Sequence, residues 1–275
     1  MTPLEKEQKL RRMIREMGSM AIAYSGGVDS TYLLQIAAEE IGSNALAVTA
    51  SSPAYPARER QRAQELARQI GARQITIESK ETEIPQFVQN PPNRCYYCKL
   101  DLFQHIAEIA VAEELSWLVD GSTHDDLDDH RPGMAALKQM QVRSPLRECG
   151  FTKDDIRQRS KELGLPTWNL PSFACLASRF PYGTTITEEA LRQVDLAESA
   201  LYDLGFRVIR VRHHGDTARI EIGQDEINRL LEGDLRNRVV EAIKEAGYKY
   251  VSLDLEGYRT GSMNEVLGNS NWNSR

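Results

Sequence analysis

Ser25-Gly26-Gly27-Val28-Asp29-Ser30 follows an apolar run, Met20 to Tyr24, and leads into a stretch where Leu33, Leu34, Ile36 and Ala37 recur at helical spacing. A strand, two glycines and a helix start, in that order, make an anion cradle. Glycine lets the backbone turn sharply and approach a ligand closely. The first N–H groups of a helix have no partner within it and carry the positive end of its dipole. The same residues also fit an ordinary Gly-Gly turn capped by Ser or Asp, but strand, motif and helix together favour phosphate. A Walker A loop would require Gly-x-x-x-x-Gly-Lys, and the chain has no such run.

The pattern S-G-G-x-D-S resembles the PP-loop of the ATP pyrophosphatase superfamily, the nucleotide-binding domain of NAD synthetase, GMP synthetase, asparagine synthetase and tRNA-thiolating enzymes. That resemblance implies adenylylation of a substrate with release of pyrophosphate, and ATP with Mg²⁺ as ligands. Ser25, Gly26, Gly27 and Ser30 would hold phosphates. Asp29 would orient Mg²⁺ or a basic partner, because a bare carboxylate beside a triphosphate repels it.

Working outward, the pattern predicts helices over Leu4–Met17, Ser30–Ile41, Arg58–Ile70 and Leu100–Glu114, and strands over Ala45–Thr49, Arg73–Ile77 and Trp117–Val119. This alternation indicates an α/β fold with a doubly wound parallel sheet. Ligands of such sheets bind beyond the carboxyl ends of the strands. The PP-loop, Ser51 with its neighbours, and Asp120-Gly121 all fall there. A helix over Lys153–Leu163 precedes a long loop, Pro166 to Gly183. Beyond it the pattern changes to helix Glu188–Leu204, strands Val208–Arg212 and Ala218–Ile222, helices Asp225–Leu231 and Leu235–Ala246, and strand Tyr248–Leu253. Two domains are expected, a PP-loop domain over 1–178 and a smaller α+β substrate or oligomerisation domain over 179–275. His213 and His214 are read as residues of the hairpin turn.

The 275 residues are 41% hydrophobic and 27% charged, with a net charge of −6. Such a chain can bury one large or two modest cores, and its acidic balance argues against a broad nucleic-acid face. Apolar runs fall short of membrane-spanning length, and the charged segment Met1 to Arg15 lacks a signal-peptide core. A cytoplasmic protein is expected. There, four cysteines point to metal ligands, redox thiols or buried fillers rather than structural disulfides.

Cys95 and Cys98 form Cys-x-x-Cys before a helix, and Cys175 lies in the long loop. The pair fits half of a zinc site, a redox dithiol, or, once Cys175 joins, three ligands of an iron–sulfur cluster. Cys149 is the expendable fourth thiol, read as a buried filler. Without it the trio leaves one metal position open; with it, or with a histidine, a structural zinc clip results.

Several stretches match one family together: the PP-loop; Asp120-Gly121 with Asp126, Asp129 and Arg131-Pro132-Gly133; Ser178-Arg179-Phe180-Pro181-Tyr182-Gly183-Thr184-Thr185; and Arg210-Val211-Arg212. Along nearly the whole chain they resemble the ATP-dependent sacrificial sulfur transferase family, LarE. The resemblance implies adenylylation of a carboxylate of pyridinium-3,5-biscarboxylic acid mononucleotide and its conversion to a thiocarboxylate, for the nickel-pincer cofactor of lactate racemase and related enzymes. Members with a single key cysteine give up its sulfur. This chain resembles the three-cysteine variety, in which Cys95, Cys98 and Cys175 would hold a [4Fe-4S] cluster that accepts sulfide. The family match singles out Asp126 and Asp129 from the acidic run as Mg²⁺ and ATP-site candidates, gives Arg131 the neutralisation of nucleotide or substrate charge, places Ser178, Arg179 and Glu198 at the substrate site, and suggests a homo-oligomer with a trimer as its candidate unit.

Arg210 and Arg212 share one face of a predicted strand, so two guanidinium forks can project together toward a mononucleotide phosphate. The competing reading is a solvated face with Glu221 as ion-pair partner. Rival functions are a tRNA thiolase, an amide-forming ligase and a non-catalytic nucleotide sensor. The first needs an RNA surface, the second has no use for the thiols, and the third releases no pyrophosphate.

Overall fold

The computed structural model describes residues 1–127, 132–171, 174–259 and 261–267. By compactness the chain divides into one unit of Met1–Phe87 with Pro92–Phe173 and another of Val88–Pro91 with Ala174–Arg275.

The first unit opens with helix α1 (Pro3–Met17), closed at its start by a capping box between Thr2 and Glu5. Then follow β1 (Met20–Ala23), α2 (Val28–Ile41), β2 (Ala45–Ser51), α3 (Ala57–Ile70), β3 (Arg73–Glu78), the short α4 (Pro85–Val88), α5 (Arg94–Ala112), β4 (Trp117–Val119), α6 (Pro132–Gln139), the short α7 (Pro145–Glu148) and α8 (Lys153–Glu162). The four strands pair in parallel in the order β3-β2-β1-β4. Strand alternation sends Met20, Ile22, Ala45 and Ala47 to one face, where they pack with residues of α1, α2, α3 and α8. It sends Ala21, Leu46 and Val48 to the other, against Phe103, Ile106 and Leu137 of α5 and α6. Both faces are thus covered, as a parallel sheet requires, and the doubly wound α/β expectation holds. Because β1 is flanked by β2 on one side and β4 on the other, the winding reverses at β1, and the crevice beyond its carboxyl end is the site such sheets offer a ligand.

The second unit holds α9 (Glu188–Asp203), β5 (Ile209–His214), β6 (Thr217–Ile222), α10 (Leu235–Glu245) and β7 (Tyr250–Leu253). β5 and β6 form an antiparallel hairpin and β7 joins β6 in parallel. Val211, Ala218 and Ile220 from the sheet pack with Ala197, Leu201, Val239 and Ile243 from the helices. Val88–Pro91 is tied into this unit by Gly183 N–H to the Asn90 carbonyl at 2.9 Å and Ile186 N–H to the Val88 carbonyl at 2.9 Å.

Three readings need correction. His213 and His214 are the last residues of β5, and the turn is Gly215–Asp216. Packing decides this: the His213 ring lies 4.8 Å from Phe180 and shares a 3.0 Å hydrogen bond with the Tyr248 hydroxyl. Cys95 and Cys98 lie inside the first two turns of α5 rather than before it. The long loop contains a 3-10 turn, Leu176–Arg179, whose Leu176 and Ala177 are fully buried. No helix among the described residues is long and apolar enough to cross a membrane.

Candidate active site

Gly27 is the N-cap of α2, and no side chain caps that helix end. The helical hydrogen bonds begin at Thr31, whose N–H donates to the Gly27 carbonyl at 3.0 Å, so the N–H groups of Val28, Asp29 and Ser30 precede the ladder. Gly26 has φ +74°, and a Cβ there would lie 2.8 Å from both Cα and Cβ of Ala63 in α3. Only glycine allows that turn and that approach together. Ser30 Oγ sits 3.2 Å from Ser25 Oγ and 3.3 Å from Ser25 N, which closes the loop on itself. The loop has the shape of a phosphate cradle, and its dipole end and bare amides suit an anion.

Gly121, beyond β4, completes the other wall. A Cβ there would stand 3.1 Å from Ser30 N, so backbone lies on backbone. Asp120 anchors this turn. Its carboxylate accepts from Ser144 Oγ at 2.6 Å and from both the N–H and the hydroxyl of Ser122. Next along the chain, buried Asp126 accepts from Thr123 N at 2.8 Å. Burial pushes the Asp29 carboxyl up to about 6; Lys153 opposes the rise and Asp126 adds to it. An acidic flank with Lys153 at its edge therefore borders the cradle, a donor set that suits Mg²⁺. Ser51, at the end of β2, accepts from Arg60 Nη1 at 3.0 Å. Asp129 and Arg131 lie outside the described residues.

Cys95 is exposed and Cys98 half-buried, three residues apart on one face of α5 in the first unit. Cys175, in the second unit, precedes the 3-10 turn; its carbonyl accepts from Ser178 Oγ at 2.8 Å and Arg179 Nη1 at 3.1 Å. Cys149 is buried in the core, and burial pushes its thiol up to about 11. Among the described residues no three His, Cys, Asp or Glu side chains are gathered as a metal site.

In the second unit the predicted substrate residues form a buried ionic network. Arg179 and Glu198, 1% and 4% exposed, make a two-pronged pair at 2.8 Å on each prong. Burial works against the Glu198 carboxylate, but Arg179 and Arg210, with the Val211 N–H at 2.9 Å, outweigh it and hold this carboxyl below the usual range. Arg212 and Arg210 do share a strand face, but it is not solvated. Arg212 is buried and gripped by Glu221 at 2.8 and 2.7 Å, with further bonds to the Ser178 carbonyl and Ser262 Oγ. Arg210 lies 5.0 Å over the Tyr258 ring, and burial together with neighbouring Arg179 lowers its proton affinity. Sequence reasoning missed Arg60, Ser144 and Lys153. Neither Ser144 nor Arg60 carries a motif; Arg60 comes to notice only through the tertiary contact of Ala63, one turn later, with Gly26.

Residues 7–95 match the asparagine synthase family, covering β1, the cradle, α2, β2, α3 and β3. The chain is 36% identical over 263 residues, 95% of each chain, to the pyridinium-3,5-bisthiocarboxylic acid mononucleotide synthase of Lactiplantibacillus plantarum. It belongs to the LarE family. Two uncharacterized relatives match most of its length: one from Synechocystis sp., 41% identical over 95% of this chain and 98% of its own, and one from Methanocaldococcus jannaschii, 30% identical over 94% and 98%. As a LarE-family protein with a PP-loop domain, the chain is an ATP-dependent enzyme, a sulfur transferase.

Proposed function

We propose that this LarE-family enzyme adenylylates a carboxylate of pyridinium-3,5-biscarboxylic acid mononucleotide and replaces the activated oxygen with sulfur, serving nickel-pincer cofactor synthesis. The observation that carries this is the end-to-end match to the L. plantarum synthase. The uncapped, glycine-walled cradle supports it.

Ser25, Gly26, Gly27, Ser30 and Gly121 would seat the ATP phosphates by backbone N–H donation, with Ser51 on the β2 side and Asp29 and Asp126 beside Mg²⁺. A substrate carboxylate oxygen attacks the α-phosphorus, and the bond to the leaving pyrophosphate breaks. Sulfide then attacks the acyl carbon, the carbon–oxygen bond to AMP breaks, and loss of the sulfide's proton leaves the thiocarboxylate. Arg210 and Arg212 would take the mononucleotide phosphate, Arg179 would add positive charge, and Ser178 and Glu198 would belong to the same substrate site.

Three thiols with one open metal position are the donor set of a [4Fe-4S] cluster that can take an extra ligand. Cys95, Cys98 and Cys175 would hold it, and bound there it would supply a landing site for exogenous sulfide. Donation of the Cys175 sulfur without a cluster, and a zinc clip, are the competing outcomes. A homo-oligomer working in the cytoplasm, without nucleic-acid or membrane partners, completes the proposal.

The test is anaerobic purification followed by iron, zinc and acid-labile sulfide analysis of wild type and Cys175→Ser, with pyrophosphate release measured on the mononucleotide. About four iron and four sulfide per chain, lost in the variant, support the cluster. Zinc alone makes the thiols structural, and active metal-free protein makes Cys175 the donor. No pyrophosphate release with the mononucleotide overturns the substrate assignment.

A further inference from the structure

Helix α3 touches the phosphate loop directly, through the contact of Gly26 with Ala63. One turn earlier on the same helix face stands Arg60. Its Nη1 donates to Ser51 Oγ at 3.0 Å and to the Ser52 carbonyl at 3.4 Å, both at the carboxyl end of β2. Arg60 as a residue is half-buried, and among the described residues no carboxylate pairs with its guanidinium; Nε and Nη2 make no hydrogen bond there either. Neighbouring arginines of the helix differ: Arg62 is paired with Glu59 at 2.7 Å and Arg68 with Glu65 at 2.7 Å. The opposite flank of the cradle is acidic, with Asp29, Asp125 and Asp126 acting on one another. A cation tethered by one nitrogen, with its other donors open beside an anion cradle, is arranged to receive an oxyanion.

We propose that Arg60 is a nucleotide-phosphate ligand of this enzyme: the Nε and Nη2 edge takes an oxygen of the triphosphate seated on the Ser25–Ser30 loop, while Nη1 stays tethered to Ser51 and Ser52. The tether fixes the side chain before ATP arrives, so less rotamer freedom is lost on binding. Charge on the β2 side also offsets the carboxylates on the β4 side, leaving Mg²⁺ to those carboxylates. This inference rests on the PP-loop being the ATP site.

The experiment is calorimetric titration of the full-length protein with Mg·ATP, and in parallel with adenosine, for wild type, Arg60→Gln and Arg60→Lys, with thermal unfolding of each. Arg60→Gln is expected to weaken ATP about ten-fold or more, the scale of one charged hydrogen bond, and to leave adenosine unchanged. Arg60→Lys should recover part of the loss, because it keeps the charge without the fork; it also carries the comparison if the Gln variant fails to fold. ATP binding equal to wild type in both variants overturns the proposal. So does an equal loss of ATP and adenosine, which would make Arg60 a structural prop for Ser51. If wild type itself binds no Mg·ATP, the reading of the loop as the ATP site is what falls, and the assignment of Arg60 falls with it.

Discussion

Asp29 titrates near 6 instead of near 3.8 because burial penalises its charge more than Lys153 relieves it. Mg²⁺ takes the anion, so affinity for Mg·ATP should climb as pH rises from about 5 to about 7. ATP's terminal phosphate titrates nearby, and the readout is therefore the difference between wild type and Asp29→Asn. The variant should bind weakly with a flatter profile, and parallel profiles would remove Asp29 from the metal site. Folding stability runs the other way. The contribution of neutral Asp29 is complete below the unfolded value of 3.8 and is lost as pH rises through about 6. Glu198 has the opposite sign. Its carboxyl is held low in the fold, so its contribution is present above the unfolded value of 4.5 and is lost as pH falls below it. Glu198→Gln leaves Arg179 buried without its counter-charge, and urea denaturation should show a loss of about 3–5 kcal/mol. A loss under about 1 kcal/mol would mean the pair is solvated in solution.

At the scale of the element, the cradle depends on two close approaches to the start of α2 rather than on any single side chain. Gly121→Ala would press a methyl group against Ser30 N and Cα, at 3.1 and 3.2 Å, with no positive φ to strain. It should shift α2's first turn by a few tenths of an ångström and weaken ATP while changing the unfolding midpoint little; unchanged ATP affinity would detach Gly121 from the site. Gly26→Ala meets both a positive φ and Ala63 at 2.8 Å, so it should cost stability as well as binding. These elements were legible because apolar period and glycine spacing are local signals. Strands β1 to β4 and helices α1, α2, α3 and α8 announced themselves in that way. What stayed hidden was tertiary. His213 joins β5 because Phe180 and Tyr248 pack on it. Helix α6 went unread because its core face is only a few residues long. The pairing of Arg212 with Glu221 was open to a local reading, because the two lie on neighbouring strands of one hairpin, but the burial of that face under Tyr258 was not.

For the whole molecule, the two halves of the proposed chemistry fall on units with separate cores. The asparagine synthase match stops at residue 95, inside the first unit, whereas the LarE relatives extend through both. On the proposed assignments, nucleotide binding and mononucleotide recognition belong to different hydrophobic cores, and each ligand should stabilise its own. A ligand that binds only the folded form adds about 2.7 kcal/mol when present at about a hundred times its Kd. With Mg·ATP at that excess, hydrogen exchange should slow most at the core amides of β1 and β2, such as Ile22 and Val48. Those of Val211 and Ile220 should stay unchanged. The mononucleotide alone should reverse the pattern. Equal slowing in both cores with either ligand would show that the chain opens as one cooperative body, and that adenylylation and recognition are coupled through folding itself rather than assembled from two independently stabilised parts.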